Sequence, residues 1–226
     1  MYGISASATP NAQIYLNDFT LPDAAGYSSN NVVERGVHLS SCTGFLLEQN
    51  SFEGLNDPAV NDEFPGALGV WIQNSGDNAN EVRNNDFSYL KLGTLVQGNN
   101  EDFILNVNGV SDFTPGTDHT GLQLLCNTNE SNSTDFYLDA NSKIRWMQGG
   151  SGVGVDYGPA GNKFSTELCL FPCQDFVVNS ANVFSTTYYS NIEEFYDPDF
   201  GISPTNPLGS SLLISQQTNL SYLNLL

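Results

Sequence analysis

Two short phrases recur along this chain, and their recurrence restricts the fold more than any other feature. The first is a strand opened by glycine: Gly36-Val37-His38-Leu39, Gly69-Val70-Trp71-Ile72 and Gly121-Leu122-Gln123-Leu124. The second is Asn-x-Phe: Asn17-Asp18-Phe19, Asn50-Ser51-Phe52, Asn85-Asp86-Phe87 and Asn162-Lys163-Phe164. Asn17 to Asn50 is a step of 33 residues, and Asn50 to Asn85 a step of 35. Short strands recurring at such a step mark a solenoid, whose turns bury a core only by stacking on one another.

Superposing the phrases fixes a register. Asn50 over Asn85 puts Leu47 over Val82 and Phe52 over Phe87 as core layers. The same register sets Glu48 over Arg83 on the outside, with Tyr15 on that outward line. In the glycine-opened strands Val37, Val70 and Leu122 share one face, with Leu39, Ile72 and Leu124 two residues on. His38, Trp71 and Gln123 alternate to the opposite face, as strand geometry requires. A third line aligns Leu95-Val96-Gln97-Gly98 with Trp146-Met147-Gln148-Gly149. Asn50 and Asn85 are expected to form a turn ladder, because asparagine tolerates left-handed turns and its amides bond along a stack. The expected fold is all-β: a right-handed parallel β-helix with three strand lines per rung over residues 1–196. Residues 197–226, with Pro198, Pro204 and Pro207, break the pattern and read as an irregular tail, a linker or a capping strand.

No window sustains the apolar period of a capped helix. Strands are expected near 13–16, 36–41, 44–48, 69–73, 80–83, 90–97, 121–125, 135–138 and 143–147, with long loops at 20–34, 54–66, 98–118 and 149–160. The glycine-rich run Gly149–Asp156 lacks the spacing of a calcium-binding repeat and reads as a turn.

Composition narrows the function classes. The chain has 226 residues, with 25 Asp and Glu against 6 Lys and Arg, a net charge of -19. That balance argues against nucleic acid and against anionic membrane surfaces. Charged residues make up only 14% and hydrophobic ones 39%, which separates the chain from disordered sequences and suits an extracellular β-protein. No apolar run reaches the ~18 residues of a membrane span. Met1-Tyr2-Gly3-Ile4-Ser5 lacks the charged region and apolar core of a signal peptide. Of the four cysteines, Cys169 and Cys173 are spaced for a small disulfide loop; free buried thiols and a metal pair are the other readings. Cys42 and Cys126 each end a glycine-opened strand and are expected to be buried.

The order Gly121-Leu122-Gln123-Leu124-Leu125-Cys126-Asn127, then Gln148-Gly149, then Pro159-Ala160-Gly161-Asn162-Lys163-Phe164-Ser165, carries a family resemblance. It resembles large secreted right-handed β-helix proteins of Bacteroidetes that use type IX secretion. Tyr188-Tyr189 before Pro198, the Asn50-Ser51-Phe52 rung and the Gly36-Val37 rung fit as well, so the resemblance covers roughly residues 12–200. It implies a secreted or cell-surface location, a signal peptide upstream and a sorting domain downstream. On that reading the chain is a piece of a longer precursor whose remainder is its natural partner. The resemblance implies no catalytic motif.

The candidate chemistry is correspondingly sparse. A glycosidase needs two carboxylates about 5–9.5 Å apart. Asp62-Glu63 and Glu193-Glu194 are adjacent in sequence, but neighbours on a strand point to opposite faces, and Glu48 is expected to be paired with Arg83. A lyase needs a base; Arg35, Arg83, Lys91, Lys143, Arg145 and Lys163 are scattered without an acidic ligand cluster. His38 and His119 are lone histidines. Trp71 faces away from the Val70 and Ile72 layer beside His38, an aromatic shelf suited to sugar rings, and Trp146 poses the same possibility on another face. Calcium can bind oxygen-rich loops such as Asn61-Asp62-Glu63 or Asp197-Pro198-Asp199, although neither has motif spacing; no other cofactor is expected. The reading is a structural or adhesive surface β-helix, non-catalytic, touching polysaccharide or cell-surface glycan through Trp71, His38 and Trp146. The rival is a carbohydrate-active β-helix enzyme, a polysaccharide lyase or a glycoside hydrolase.

Overall fold

A computed structural model describes residues 2–22, 34–55, 66–101, 120–139, 142–145, 147–149, 160–165, 174–178, 187–190, 200–201 and 213–216. Among these residues the chain is all-β, every strand pairing is parallel and there is no helix. A first turn comprises β1 (Tyr2–Ser7), β2 (Gln13–Tyr15) and β3 (Asp18–Leu21). A second comprises β4 (Arg35–Ser40), β5 (Leu46–Glu48) and β6 (Ser51–Gly54), and a third β7 (Leu68–Gln73), β8 (Asn80–Arg83) and β9 (Asp86–Ser88). There follow β10 (Leu92–Gln97), β11 (Asn99–Asn100), β12 (Leu122–Leu125), β13 (Thr128–Glu130) and β14 (Thr134–Leu138). The last described strands are β15 (Lys143–Ile144), β16 (Met147–Gln148), β17 (Gln174–Val178), β18 (Thr187–Ser190), β19 (Phe200–Gly201) and β20 (Leu213–Gln216).

Three sheets hold most of these strands. The first runs β1-β4-β7-β10-β14-β17-β19, the second β2-β5-β8-β12 and the third β3-β6-β9-β13. Two small sheets, β11-β15 and β16-β18-β20, complete the set. The chain thus visits the three main sheets in turn and lays each visit beside the one before.

Inward side chains stack in columns. Val37 pairs with Val70, Leu39 with Ile72 and Leu47 with Val82, and all six are fully buried. Phe19, Phe52 and Phe87 stack with ring centroids 4.8 and 4.9 Å apart, the spacing of neighbouring strands. The glycines that open the first-sheet strands make room for those rings. A Cβ on Gly36 would lie 2.6 Å from the Phe52 ring, and one on Gly69 would lie 2.9 Å from Phe87. The two repeated phrases are therefore one packing unit, a ring seated on a bare backbone.

The corner between the second and third sheets is a second repeated device. Leu16, Gln49, Asn84 and Cys126 are all left-handed, with φ between 53° and 57°. Each precedes a ladder asparagine. Asn50 donates its backbone N–H and its Nδ2 to Asn85 Oδ1, both at 3.0 Å. Asn17 donates to Asn50, Asn85 to Asn127 and Asn127 to Asn162 in the same manner. The tight corner takes these N–H groups out of the strand ladder, and the asparagine stack supplies their acceptors.

Several expectations need correction. Leu122 does not lie over Val70: it pairs with Asn80, so Gly121-Leu122-Gln123-Leu124 belongs to the second sheet. The first-sheet strand of that turn is β10, where Thr94 pairs with Val70 and Leu95 with Trp71. Leu95 pairs on its other side with Tyr137, and Met147–Gln148 lies in a different sheet, where Gln148 pairs with Tyr188, so the expected third line does not form. Cys42 is buried, but Cys126 is exposed because it occupies the left-handed corner. Asn99–Asn100 is a strand within the stretch read as a loop; strands also follow the first three Asn-x-Phe asparagines (β3, β6 and β9), and Tyr2–Ser7 is a strand, none of which the sequence reading placed. Trp146, Cys169, Cys173, His119, Asp62-Glu63, Glu193-Glu194, Asp197-Pro198-Asp199 and the run 150–156 lie outside the described residues.

After the third turn the columns change chemistry. Asn129 pairs with Phe87 and takes the place of the ring. Asp135, between the paired residues Thr134 and Phe136, stands opposite Gly93. Phe164 leaves the stack and packs edge-on against Phe136 with centroids 5.8 Å apart.

Candidate functional site

The outward face of the first sheet collects the most chemically diverse side chains. Alternation along β4, β7 and β10 turns His38, Trp71 and Leu95 away from the core, and register lines them up on successive strands. The rings of His38 and Trp71 stack with centroids 4.2 Å apart and planes within 19°. The Arg35 guanidinium carbon lies 4.0 Å from the Trp71 ring centroid, within cation–π range. Both neighbours come from β4, so the indole is packed along the stacking direction.

The other side of Trp71 is tied into a relay. Its Nε1 donates to Gln97 Oε1 at 2.9 Å, and Gln97 Nε2 donates to Asp139 Oδ2 at 2.6 Å. Gln73 pairs with both Ser40 and Gln97. The strip is half-buried throughout: Arg35, His38, Trp71, Gln73, Gln97 and Asp139 all lie between the buried and exposed classes. Burial, followed by the Arg35 charge, pushes the His38 imidazole below its usual range. The ring is therefore neutral near pH 7 and offers a flat polar surface rather than a cation.

Of the residues singled out from sequence, His38 and Trp71 stand together in this strip. From sequence, Arg35 reads only as a candidate base, Gln97 falls on a line with Gln148, and Asp139 carries no signal. Gln97 was legible in principle, since Gly93-Thr94-Leu95-Val96 repeats the pattern of Gly69-Val70-Trp71-Ile72. Its step from the preceding strand is short, and so it escapes a search at a fixed period.

Elsewhere the charged groups are engaged structurally. Arg83 bridges Glu48 at 3.1 Å and Glu81 at 3.1 Å on the outer face of the second sheet. Asp135 is fully buried, and burial raises its carboxyl to about 7 against the pull of its hydrogen bonds, with Asp175 adding to the rise. It accepts from Asn132 Nδ2 at 3.0 Å, from the Ser165 hydroxyl at 2.7 Å and from the Ser165 backbone N–H at 2.8 Å. These contacts place it inside the stack rather than on a surface a polymer could reach. Among the described residues, no three His, Cys, Asp or Glu side chains gather where they could hold a metal ion. Compared with known proteins, the chain matches no family model, no curated protein and no solved structure.

Proposed function

We propose that this chain is a segment of a right-handed parallel β-helix that acts as a stiff, non-catalytic structural or adhesive element at the cell surface. Each return to the first sheet is a parallel crossover, and such crossovers are right-handed in about 98% of cases. The secreted location and the longer precursor rest on the resemblance to Bacteroidetes surface proteins.

Its ligand on this reading is a polysaccharide or cell-surface glycan lying along the first sheet. The observation that carries the reading is the stacked and hydrogen-bonded strip of Arg35, His38, Trp71, Gln97 and Asp139. Planar amides and aromatic edges stand there on neighbouring strands beside one carboxylate, and they match hydroxyl-rich chains better than any charged polymer. Because His38 and Arg35 pack along the indole, the sugar contacts ring edges and the Gln73–Gln97 amides rather than being sandwiched between rings. Asp135, the strongly perturbed carboxyl among the described residues, is enclosed in the stack and lends no support to an enzyme.

Native electrophoresis through gels containing a panel of polysaccharides, followed by staining for the polymer, tests this. Retardation without loss of polymer, reduced by Trp71→Ala, supports the reading. A cleared zone replaces it with an enzyme, and no retardation on any polymer leaves only the structural role.

A further inference from the structure

We propose that Asp139 is a positioning residue for the strip on the first sheet. It holds Gln97 in one amide orientation, and Gln97 so held fixes the N–H edge of Trp71 and presents its own remaining donor and acceptor to the ligand. The inference rests on the reading of that strip as a glycan contact. Three neighbouring strands carry the relay, with Trp71 on β7, Gln97 at the end of β10 and Asp139 directly after β14. Trp71 Nε1 donates to Gln97 Oε1 at 2.9 Å, and Gln97 Nε2 donates to Asp139 Oδ2 at 2.6 Å. Both ends dictate the same amide orientation. An indole N–H can only donate and a carboxylate can only accept, so the amide carbonyl faces the ring and its amino group faces the acid. The reversed amide would set donor against donor at one end and acceptor against acceptor at the other.

Backbone contacts hold both partners of the Gln97–Asp139 bond. The Asp139 N–H donates to the carbonyl of Val96, the residue before Gln97, at 3.0 Å, and the Asp139 carbonyl accepts from the Ser142 N–H at 2.9 Å. The Gln97 carbonyl accepts from the Asn74 N–H and from Asn100 Nδ2, both at 3.0 Å. The carboxylate therefore reaches Gln97 from a short turn pinned to β10 itself. Gln73 shows what the acid adds. Its register partner on β10 is Gln97, an amide that can donate or accept and so imposes no orientation.

The relay also limits what the strip offers. A hydrogen bond to a charged acceptor is stronger than a neutral one, and it polarises the amide so that Gln97 Oε1 becomes a better acceptor for the indole. A side-chain amide has two N–H groups and two acceptor lone pairs. The relay engages one of each and leaves one of each. Gln97 and Asp139 are half-buried, so the strip stays within reach of a ligand. A sugar hydroxyl both donates and accepts, which matches the pair that Gln97 retains. The Trp71 N–H is engaged inside the protein, so the indole meets a sugar through its carbon edge and Gln97 supplies the hydrogen bonds.

The indole N–H signal of Trp71 in the isotope-labelled, ligand-free full chain tests the positioning, with Trp71→Phe separating it from Trp146. Asp139→Ala and Gln97→Ala should move this signal upfield together and speed its exchange with water about tenfold. Asp139→Asn, which keeps an acceptor of the same shape, should stay near the unaltered protein on both counts. In a gel containing a polysaccharide that retards the unaltered chain, Asp139→Ala should lose most of the retardation that Gln97→Ala loses, and Asp139→Asn should keep it. Three results would overturn the inference: an indole signal indifferent to Asp139→Ala, an Asp139→Asn variant that behaves like Asp139→Ala, or retardation that survives Asp139→Ala in full. If no polysaccharide retards the unaltered chain, the glycan reading fails, and the indole signal still decides whether Asp139 positions Gln97 and Trp71.

Discussion

Replacing Asn85 by alanine should cost far more than the same change at Asn17, although both occupy the same ladder. Asn85 Oδ1 accepts from the backbone N–H and Nδ2 of Asn50, and its Nδ2 donates to the carbonyls of Leu47 and Arg83 and to Asn127 Oδ1. Asn50, Asn85 and Asn127 are all essentially inaccessible to water. Alanine leaves the Asn50 N–H without its acceptor and the Leu47 carbonyl without this donor. At roughly 1–3 kcal/mol for each buried orphan, the loss is about 2–6 kcal/mol. Asn17→Ala removes only donors. Asn50 Oδ1 keeps the Asn17 backbone N–H at 3.1 Å, and the exposed Tyr15 carbonyl turns to water, so the loss stays below about 1 kcal/mol. Asn85→Asp should exceed even the alanine change, because its second oxygen would face three acceptors at 3.0–3.1 Å. Urea denaturation followed by far-ultraviolet circular dichroism measures each variant. Equal costs at positions 17 and 85, to within about 0.5 kcal/mol, would refute the idea that burial of the ladder sets its worth.

Three further outcomes follow from the packing. Gly69→Ala places a Cβ 2.6 Å from the Gly93 carbonyl oxygen and 2.9 Å from the Phe87 ring, and should cost about 1–3 kcal/mol; adding Phe87→Ala should recover part of it, read as a non-additive double-mutant melt. Asp135 titrates near 3.8 when unfolded and near 7 when folded, so the folded chain holds the extra proton and stability falls as pH rises across that interval. The shift corresponds to a loss on the order of 4 kcal/mol, and Asp135→Asn should remove most of the fall in urea midpoint between about pH 5 and about pH 8. Arg83→Ala breaks a partly exposed cluster with Glu48 and Glu81 and should cost under about 1 kcal/mol, less still in high salt.

The sequence disclosed the first three turns because three constraints coincided in them. The asparagine corner, the stacked ring and the bare glycine recur at nearly constant step, and Glu48 over Arg83 agrees with the same register. Val70 and Ile72 are buried as that register requires. Beyond Asn85 the step lengthens to 42 residues before Asn127, and the ring gives way to Asn129. The constant step is broken there, although Asn127 to Asn162 returns to 35 residues, and Gly121 offers a decoy that matches the phrase but sits in another sheet. The exposure of Cys126 was hidden for a related reason: apolar character predicts burial, whereas the corner demands a left-handed residue whatever its side chain. The half of the candidate site that sequence revealed, His38 beside Trp71, depends on neighbouring strands in register. The missed half depends on β10, whose Gln97 falls on a different line in sequence, and on β14, for which the sequence gives no register.

The seating of each phenyl ring on a bare glycine has a consequence for how such a chain can diverge. Neither position is free to change first in every direction: enlarging the glycine while the ring remains drives a methyl group into the ring. Shrinking the ring first opens the way for the glycine to acquire a side chain. The turn after the third is in keeping with such a path: asparagine stands at position 129 where a ring would stack, while Gly93 facing it is still bare. Lineages of this chain would thus drift along an ordered route, and the turns most altered in sequence would be those that lost the aromatic residue earliest.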